Sequence, residues 1–332
     1  IGLPLSLREL AWMGRWLRAC RVDTYLANRS HMQRLAFYSR ARLHQLTDQL
    51  ELAYERSPGY LVLLRSEKDQ KLAQPGLQVL RDAGVTFHQI DAAAARTVEP
   101  ALNQDTAFAG AIHLPDDEVG NCRQFALMLR RHAEMLGARF VFNTTVATVV
   151  PGPQAAVAIA GEPSPRRFDA VVVCAGLASA TLLRPLGVKI PMAAVYGYSI
   201  SANIREPLNA PRSAVMDERY KVAISRLGMR VRVAGSAEIG GRLDTKRPAA
   251  LQTLYKVLHD WFPGAAQMSG GVQEWKGARP MLPDGPPIVG ASGIPGIWLN
   301  LGHGSSGWAL SCGSARAVAD LVGGRTPDVD LQ

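Results

Sequence analysis

Helices are predicted where apolar residues recur every three or four positions. Such spacing runs from Ser6 to about Leu52, with a break predicted at Asn28-Arg29-Ser30, so two or more helices are expected there. The same spacing covers Asn121 to Leu136, Pro248 to Phe262 and Ala309 to Val322. These segments are predicted to be the main helical parts of the fold.

Strands are predicted where short apolar runs are bounded by turn residues. Tyr60–Leu64 and Arg139–Phe142 are two such runs. Phe168–Cys174 is a continuous run rich in valine that leads into a tight turn at Ala175–Ser179, a pattern typical of a buried parallel strand. From Ala193 to Gly235 the pattern changes to short alternating strands, which predicts an antiparallel sheet.

The two kinds of strand predict an α/β fold combined with an antiparallel sheet. A parallel domain is expected at residues 116–190 and 283–332. Residues 1–115, which begin with a helical segment, and residues 191–282 are expected to form a second domain with the antiparallel strands. The parallel domain is expected to be incomplete.

The chain is basic, but its positive charges are dispersed. Its 332 residues are 47% apolar and 20% charged, with a net charge of +9. Lys and Arg are scattered through periodic segments and are not interleaved with aromatic residues as in single-strand binders. The charge therefore indicates a solvated basic surface, and no nucleic-acid partner is expected.

The cysteines do not indicate a metal site or a disulfide framework. Cys20, Cys122, Cys174 and Cys312 are far apart and none has CxxC spacing. This usage fits a reducing cytoplasm. No apolar run approaches the roughly 20 residues of a membrane span, and no secretory signal opens the sequence.

A glycine-rich turn lies between a predicted strand and a predicted helix near the C-terminus. Gly302-His303-Gly304-Ser305-Ser306-Gly307 follows the apolar run Ile297–Leu299 and spells GxGxxG. A dinucleotide fingerprint must also open a βαβ unit, with an acidic residue about 20 positions later at the end of a second strand. No second strand is predicted between this turn and Gln332. The turn is instead predicted to present backbone N–H groups and a positive helix end to an electron-rich group.

Arg279 is the strongest candidate for binding a carboxylate. It lies in the segment Gly277–Gly285, shortly before the glycine-rich turn. Guanidinium is a planar bidentate donor that matches carboxylate geometry, which the ammonium of lysine does not. The alternative is an ordinary surface or structural arginine.

The order of these segments resembles the FAD-dependent D-amino-acid dehydrogenases, within the larger family of D-amino-acid, glycine and sarcosine oxidases. The resemblance covers almost the whole sequence, from near Ile1 to Pro327. The matching stretches are Arg34–Arg40, Leu114–Cys122, Phe140–Thr144, Gly197–Ser199, Met216–Arg226, Gly277–Gly285 and Asn300–Trp308.

The resemblance implies an FAD site. A reduced flavin carries negative charge along one ring edge, which suits a glycine turn at a helix N-terminus. Val146 resembles the family's adenine-side valine, and Ala175 and Gly176 are expected to approach the cofactor at the end of their strand. The residues expected to contact the flavin mainly through backbone N–H groups are Gly302, Gly304, Ser305, Ser306 and Gly307, and His303 in the same turn is also assigned to the cofactor site. Family members begin with a βαβ unit that holds the FAD pyrophosphate, and that half of the site is expected to be absent from this chain.

The resemblance also implies a substrate site. Arg279 matches the family's carboxylate-binding arginine, and the hydroxyl of Tyr220 is expected to bond the same carboxylate, with a core tyrosine as the alternative. Tyr198 is a weaker candidate of the same kind. His303 is expected to tune the flavin or contact substrate, with a structural histidine as the alternative.

The implied reaction is oxidative deamination of D-amino acids to 2-oxo acids and ammonia. Hydride passes from Cα to flavin N5, and the electrons go to an acceptor other than oxygen, such as a quinone. Peripheral contact with the inner membrane is implied as well, and the basic charge is compatible with it. Two alternatives stay open: glycine or sarcosine oxidation on the same scaffold, and a flavin-free remnant that acts only as a binding module.

Overall fold

The computed structural model describes residues 1–331. Its helices are α1 (Leu7–Ala19), α2 (Val22–Gln49), α3 (Glu67–Asp82), α4 (Ala92–Val98), α5 (Cys122–Met135), α6 (Ser179–Leu183), α7 (Pro248–Trp261) and α8 (Gly307–Val322). Its strands are β1 (Ser57–Leu64), β2 (His88–Ile90), β3 (Gly110–Val119), β4 (Val146–Val150), β5 (Ala155–Ile159), β6 (Arg166–Phe168), β7 (Val171–Val173), β8 (Ala193–Asn203), β9 (Ala214–Asp217), β10 (Val222–Leu227), β11 (Arg230–Ile239), β12 (Gln273–Met281), β13 (Ile288–Ala291) and β14 (Ile297–Leu301).

An eight-stranded sheet is the largest layer. Its strand order is β12-β8-β11-β10-β9-β1-β3-β2, and every neighbouring pair is antiparallel except β1 and β9. The antiparallel sheet predicted for residues 193–235 is thus confirmed, and strands from both earlier and later segments extend it.

One face of this sheet is covered by α7. Leu254, Val257 and Trp261 are fully buried and recur at helical spacing. They share a core with Ile200 of β8 and Val233 of β11. Because α7 occupies this face, the side chains that alternate with the core residues on β8, β11 and β12 project from the opposite face.

The parallel pairing predicted near residue 170 is present in a smaller sheet, β13-β14-β7. β7 is parallel to β14, and β13 is antiparallel to β14. The predicted run Phe168–Cys174 is split, because Phe168 ends β6 in a third sheet, β4-β5-β6, and is 47% exposed. The chain bends between the two short strands, so only Val171–Val173 extends the parallel pairing.

Two local predictions were wrong. Residues 28–30 do not interrupt a helix, since α2 runs through them and the break lies between Ala19 and Val22. Asn28 donates instead to the carbonyl of Asp284 at 3.0 Å. Arg139–Phe142 is not a strand, because within residues 1–331 it has no neighbouring strand with which to pair. The division into residue ranges 1–115, 116–190, 191–282 and 283–332 stays a prediction.

Candidate functional site

Arg279 lies on β12, with its side chain on the face of the large sheet opposite α7. Its Cα pairs with Val195 of β8, but the side chain turns back over Gly197, where an added Cβ would collide with the guanidinium. Nη1 donates to the carbonyl oxygen of Ser236 at 3.0 Å. A glycine within a strand is therefore required here by the close approach of a side chain.

The guanidinium of Arg279 lacks a carboxylate partner among residues 1–331. Its carbonyl acceptor, Ser236, has a left-handed backbone with φ of 65° and lies where β11 bulges between Gly235 and Glu238. Burial, and then the nearby charge of Arg232, lowers the pKa of Arg279, although an arginine still stays charged at neutral pH. A partly buried cation of this kind is suited to bind an anion.

The glycine-rich turn adjoins the end of β12. It leaves β14 at Gly302 and reaches α8 through one short helical turn, Gly304–Ser306. Gly302 and Gly304 have φ of 79° and 55°, and side chains there would also collide with Leu282 and Met281. An isolated bridge joins His303 to Met281, two residues beyond Arg279. The tertiary structure thus brings Arg279 and the glycine-rich turn together.

The N-terminus of α8 has no side-chain cap. Ser306 is the N-cap residue, but its side chain accepts no hydrogen bond from the first turn. The first N–H groups of a helix lack intrahelical partners and carry partial positive charge. This end of α8 can therefore donate to an electron-rich group.

His303 makes a side-chain hydrogen bond to α8. Its Nε2 lies 3.0 Å from the hydroxyl of Ser314, and that hydroxyl donates to the carbonyl of Ser311 at 3.2 Å. Burial lowers the pKa of His303, so the neutral form is favoured.

Comparison with known proteins identifies the family. Residues 7–321 match the family model described as FAD dependent oxidoreductase, abbreviated DAO. The chain belongs to this family.

Relatives of this oxidoreductase include a protein from Bradyrhizobium diazoefficiens named D-amino acid dehydrogenase, 40% identical over 322 residues, which are 96% of this chain and 76% of the relative. A D-amino acid dehydrogenase from Rhizobium johnstonii is 38% identical over 99% of this chain and 79% of the relative. The fold also matches glycine oxidase from Geobacillus kaustophilus, with a TM-score of 0.79 and 22% identity over 90% of this chain and 80% of that one.

The residues present fit the FAD on which this family depends. The uncapped helix end and the left-handed glycines form a backbone cradle for an electron-rich ring edge. Beside them lies a largely apolar cavity of about 440 Å³, a size suited to part of a cofactor. It is lined by Trp16, Asn28 and Met32, by residues 281–285, and by Ser306 and Leu310.

Two other predicted cofactor residues lie near this cradle and one lies apart. Ala175 and Gly176 follow β7, whose carboxyl end lies at the same sheet edge as that of the parallel β14. The turn formed by residues 176–178 contacts β12. Val146 begins β4 in the separate β4-β5-β6 sheet, where it is 38% exposed. Contacts of all three with FAD stay predictions.

The structure does not bring Tyr198 to Arg279. Tyr198 pairs with Lys276, an odd number of positions from Arg279, so it projects from the α7 face, where it is 1% exposed. Its hydroxyl contacts Glu238, which lies 3.2 Å from Nζ of Lys276. Tyr198 is thus the core tyrosine of a buried ionic network on the far side of the sheet from the candidate carboxylate site.

Tyr220 is also placed away from Arg279. It lies in the turn between β9 and β10, two strands removed from the β12-β8 edge. Its ring lies 5.0 Å from the guanidinium of Arg65 and 5.2 Å from Nζ of Lys256 in α7. A bond from Tyr220 to a carboxylate held by Arg279 is therefore not supported by this geometry.

Gly197 and Arg232 were missed by sequence reasoning. An isolated glycine within the strand pattern Val195–Ser199 was the available signal for a close approach. Arg232 alternates with buried valines in Arg230-Val231-Arg232-Val233, which marks the solvent-facing side of that strand but not its neighbours.

Within residues 1–331, no helix combines the length and hydropathy that crossing a bilayer requires. The same residues contain no group of three or more His, Cys, Asp or Glu side chains placed to hold a metal ion.

Proposed function

We propose that this oxidoreductase catalyses oxidative deamination of D-amino acids to 2-oxo acids and ammonia. The observation that carries the proposal is the placement of Arg279, a cation without a carboxylate partner among residues 1–331, beside the glycine-rich turn at α8. The names of the relatives, D-amino acid dehydrogenase at 38–40% identity, support this choice of substrate.

Arg279 would hold the substrate α-carboxylate through two parallel hydrogen bonds and so fix the orientation of Cα. Bound FAD supplies the hydride acceptor. The N-terminus of α8 would stabilise negative charge on the ring edge of the flavin. Neutral His303 would contribute no net charge of its own. The imino acid product then hydrolyses in water to the 2-oxo acid and ammonia.

The proposal extends to the electron acceptor and the cellular site. A non-oxygen acceptor such as a quinone is in keeping with relatives named dehydrogenases. A cytoplasmic location with peripheral contact at the inner membrane is supported by the net charge of +9, which favours an anionic lipid surface.

Spectroscopy of the purified protein tests the reaction directly. We expect flavin absorption bands that are bleached under anaerobic conditions by D-alanine but not by L-alanine, and recovered by an artificial electron acceptor. A protein that stays colourless and inert with added FAD would contradict the proposal. Turnover with oxygen alone, and with glycine or sarcosine in preference to D-alanine, would favour an amine oxidase instead.

Arg279→Lys tests the carboxylate site. Loss of the bidentate contact is expected to reduce kcat/KM for D-alanine about 10- to 100-fold, or roughly 1.5–3 kcal/mol, with an unchanged flavin spectrum. Arg226→Lys is the matched control, because Arg226 bonds the carbonyl of Gly228 at the far end of the sheet. Equal kinetics for the two variants would show that Arg279 does not bind the substrate carboxylate.

A further inference from the structure

Arg232 shares a face of the large sheet with Arg279. Arg232 of β11 pairs with Ser201 of β8, and Ser201 pairs with Gln273 of β12. Arg279 is an even number of positions from Gln273 along β12, so its side chain and that of Arg232 project from the same side. The valines on either side of Arg232 are buried against α7, as this alternation requires.

Small residues line the sheet between the two arginines. The floor is made by Gly197 and Ser199 of β8, Ala234 of β11 and Gly277 of β12. The indole of Trp275 lies over Gly277, where an added Cβ would collide with it. We call this surface, bounded by Arg279, Arg232 and Trp275, the arginine trough.

The arginine trough is positively charged without internal compensation. Arg232 has no hydrogen-bond or ion-pair partner among the residues that the structure describes. On β8, β10, β11 and β12 the positions that project from this face include no Asp or Glu. The charge of Arg232 also contributes to the lowered pKa of Arg279, which places the two guanidinium groups within electrostatic reach of each other.

The spacing suits a ligand with two acid groups. The guanidinium of Arg279 lies over Gly197, and Arg232 pairs with Ser201, four residues further along β8. Four residues of a strand span roughly 13 Å. The two arginines thus lie toward opposite ends of the small-residue floor, an arrangement that matches a ligand with two carboxylates joined by a short aliphatic chain.

We infer that Arg232 forms a second anion subsite and that the preferred substrates are D-amino acids with an acidic side chain, of the length of D-glutamate. The inference rests on the proposed function, since Arg279 holds the α-carboxylate and the glycine-rich turn lies beyond it. The side chain then extends away from the turn, over the small-residue floor, to Arg232.

Steady-state kinetics with D-glutamate and its neutral isostere D-glutamine test the subsite. The wild-type protein is expected to favour D-glutamate in kcat/KM, and Arg232→Gln is expected to reduce the D-glutamate to D-glutamine ratio about 10- to 100-fold. Arg230→Gln is the matched control. Arg230 lies on the same strand and face, but its guanidinium bonds Ser201 and Asn203, so the ratio should stay near that of wild type.

An unchanged ratio in Arg232→Gln, or a wild-type protein that does not discriminate the two substrates, would overturn the inference. Calorimetry that compares the binding of glutarate with that of butyrate distinguishes failure of the subsite from failure of the proposed function, because binding needs no turnover. Preferential glutarate binding that Arg232→Gln abolishes, without oxidation of any D-amino acid, would support the subsite and contradict the function. Oxidation of D-alanine, with no preference for D-glutamate over D-glutamine or for glutarate over butyrate, would support the proposed function and overturn the subsite.

Discussion

At the scale of the residue, His303 couples the glycine-rich turn to pH. Burial holds the folded-state pKa of this imidazole below its ordinary value of about 6.5. Above that value the imidazole is neutral in both folded and unfolded chains. Below it the unfolded chain takes up a proton that the folded chain resists. The free energy of unfolding therefore decreases as the pH is lowered, by up to about 1.4 kcal/mol per pH unit.

Replacing His303 should therefore remove part of the acid sensitivity. We expect the stability advantage of the wild-type protein over His303→Gln to shrink between pH 7.5 and pH 5, as measured by urea unfolding. His259→Gln, in an exposed position of α7, is the control and should follow the wild-type profile. Parallel pH profiles for the wild-type protein and His303→Gln would show that the imidazole is not the titrating group.

At the scale of the element, β8 sets the position of Arg279. Gly197→Ala introduces a methyl group that collides with the guanidinium, while the strand backbone at this position suits alanine. Displacement of the proposed carboxylate-binding group by about 1 Å is expected to reduce kcat/KM for D-alanine up to about 100-fold. Gly270→Ala, where the added methyl group meets no atom within 4 Å, should behave as wild type. Unaltered kinetics in Gly197→Ala would contradict this role for β8.

At the scale of the whole molecule, α8 joins the helical layer to the smaller sheet. It packs against α2 on one side and against β13 and β14 on the other. At Gly313 the two helices approach so closely that an added Cβ would lie 2.9 Å from Cα of Ser39. The orientation of α8, and with it the N-terminus that faces the glycine-rich turn, depends on this contact.

A side chain at this contact should separate the helices. Gly313→Val is expected to lower the free energy of unfolding by about 1–3 kcal/mol through overpacking, measured by urea denaturation. Gly14→Val in α1 is the matched helical control, since its added atoms point into open space and its better helix propensity should leave stability equal or slightly higher. Comparable stabilities for the two variants would mean that the α2–α8 contact can adjust.

The spacing of apolar residues predicted several helices, because a helix that packs on one side needs apolar residues at fixed intervals along its own sequence. The apolar spacing of residues 121–136 and 309–322 corresponds to α5, in which Phe125 is buried, and to α8, which buries several residues against its neighbours. The strand predicted at Arg139–Phe142 failed because an apolar run cannot specify its own partner. Phe140 and Phe142 instead stack on each other, 6.1 Å apart, and remain largely exposed.

The sequence by itself determined the strand, glycine turn and helix at residues 297–322 and the chemical suitability of Arg279 for a carboxylate. Both follow from the identities of neighbouring residues. Only the tertiary structure decided which side chains share a surface. Alternation along one strand separates its two faces, but the neighbours of each face depend on the register and bulges that distant strands set. Pairing across β12, β8 and β11 placed Arg279 with Arg232 and put Tyr198 on the opposite face with Glu238.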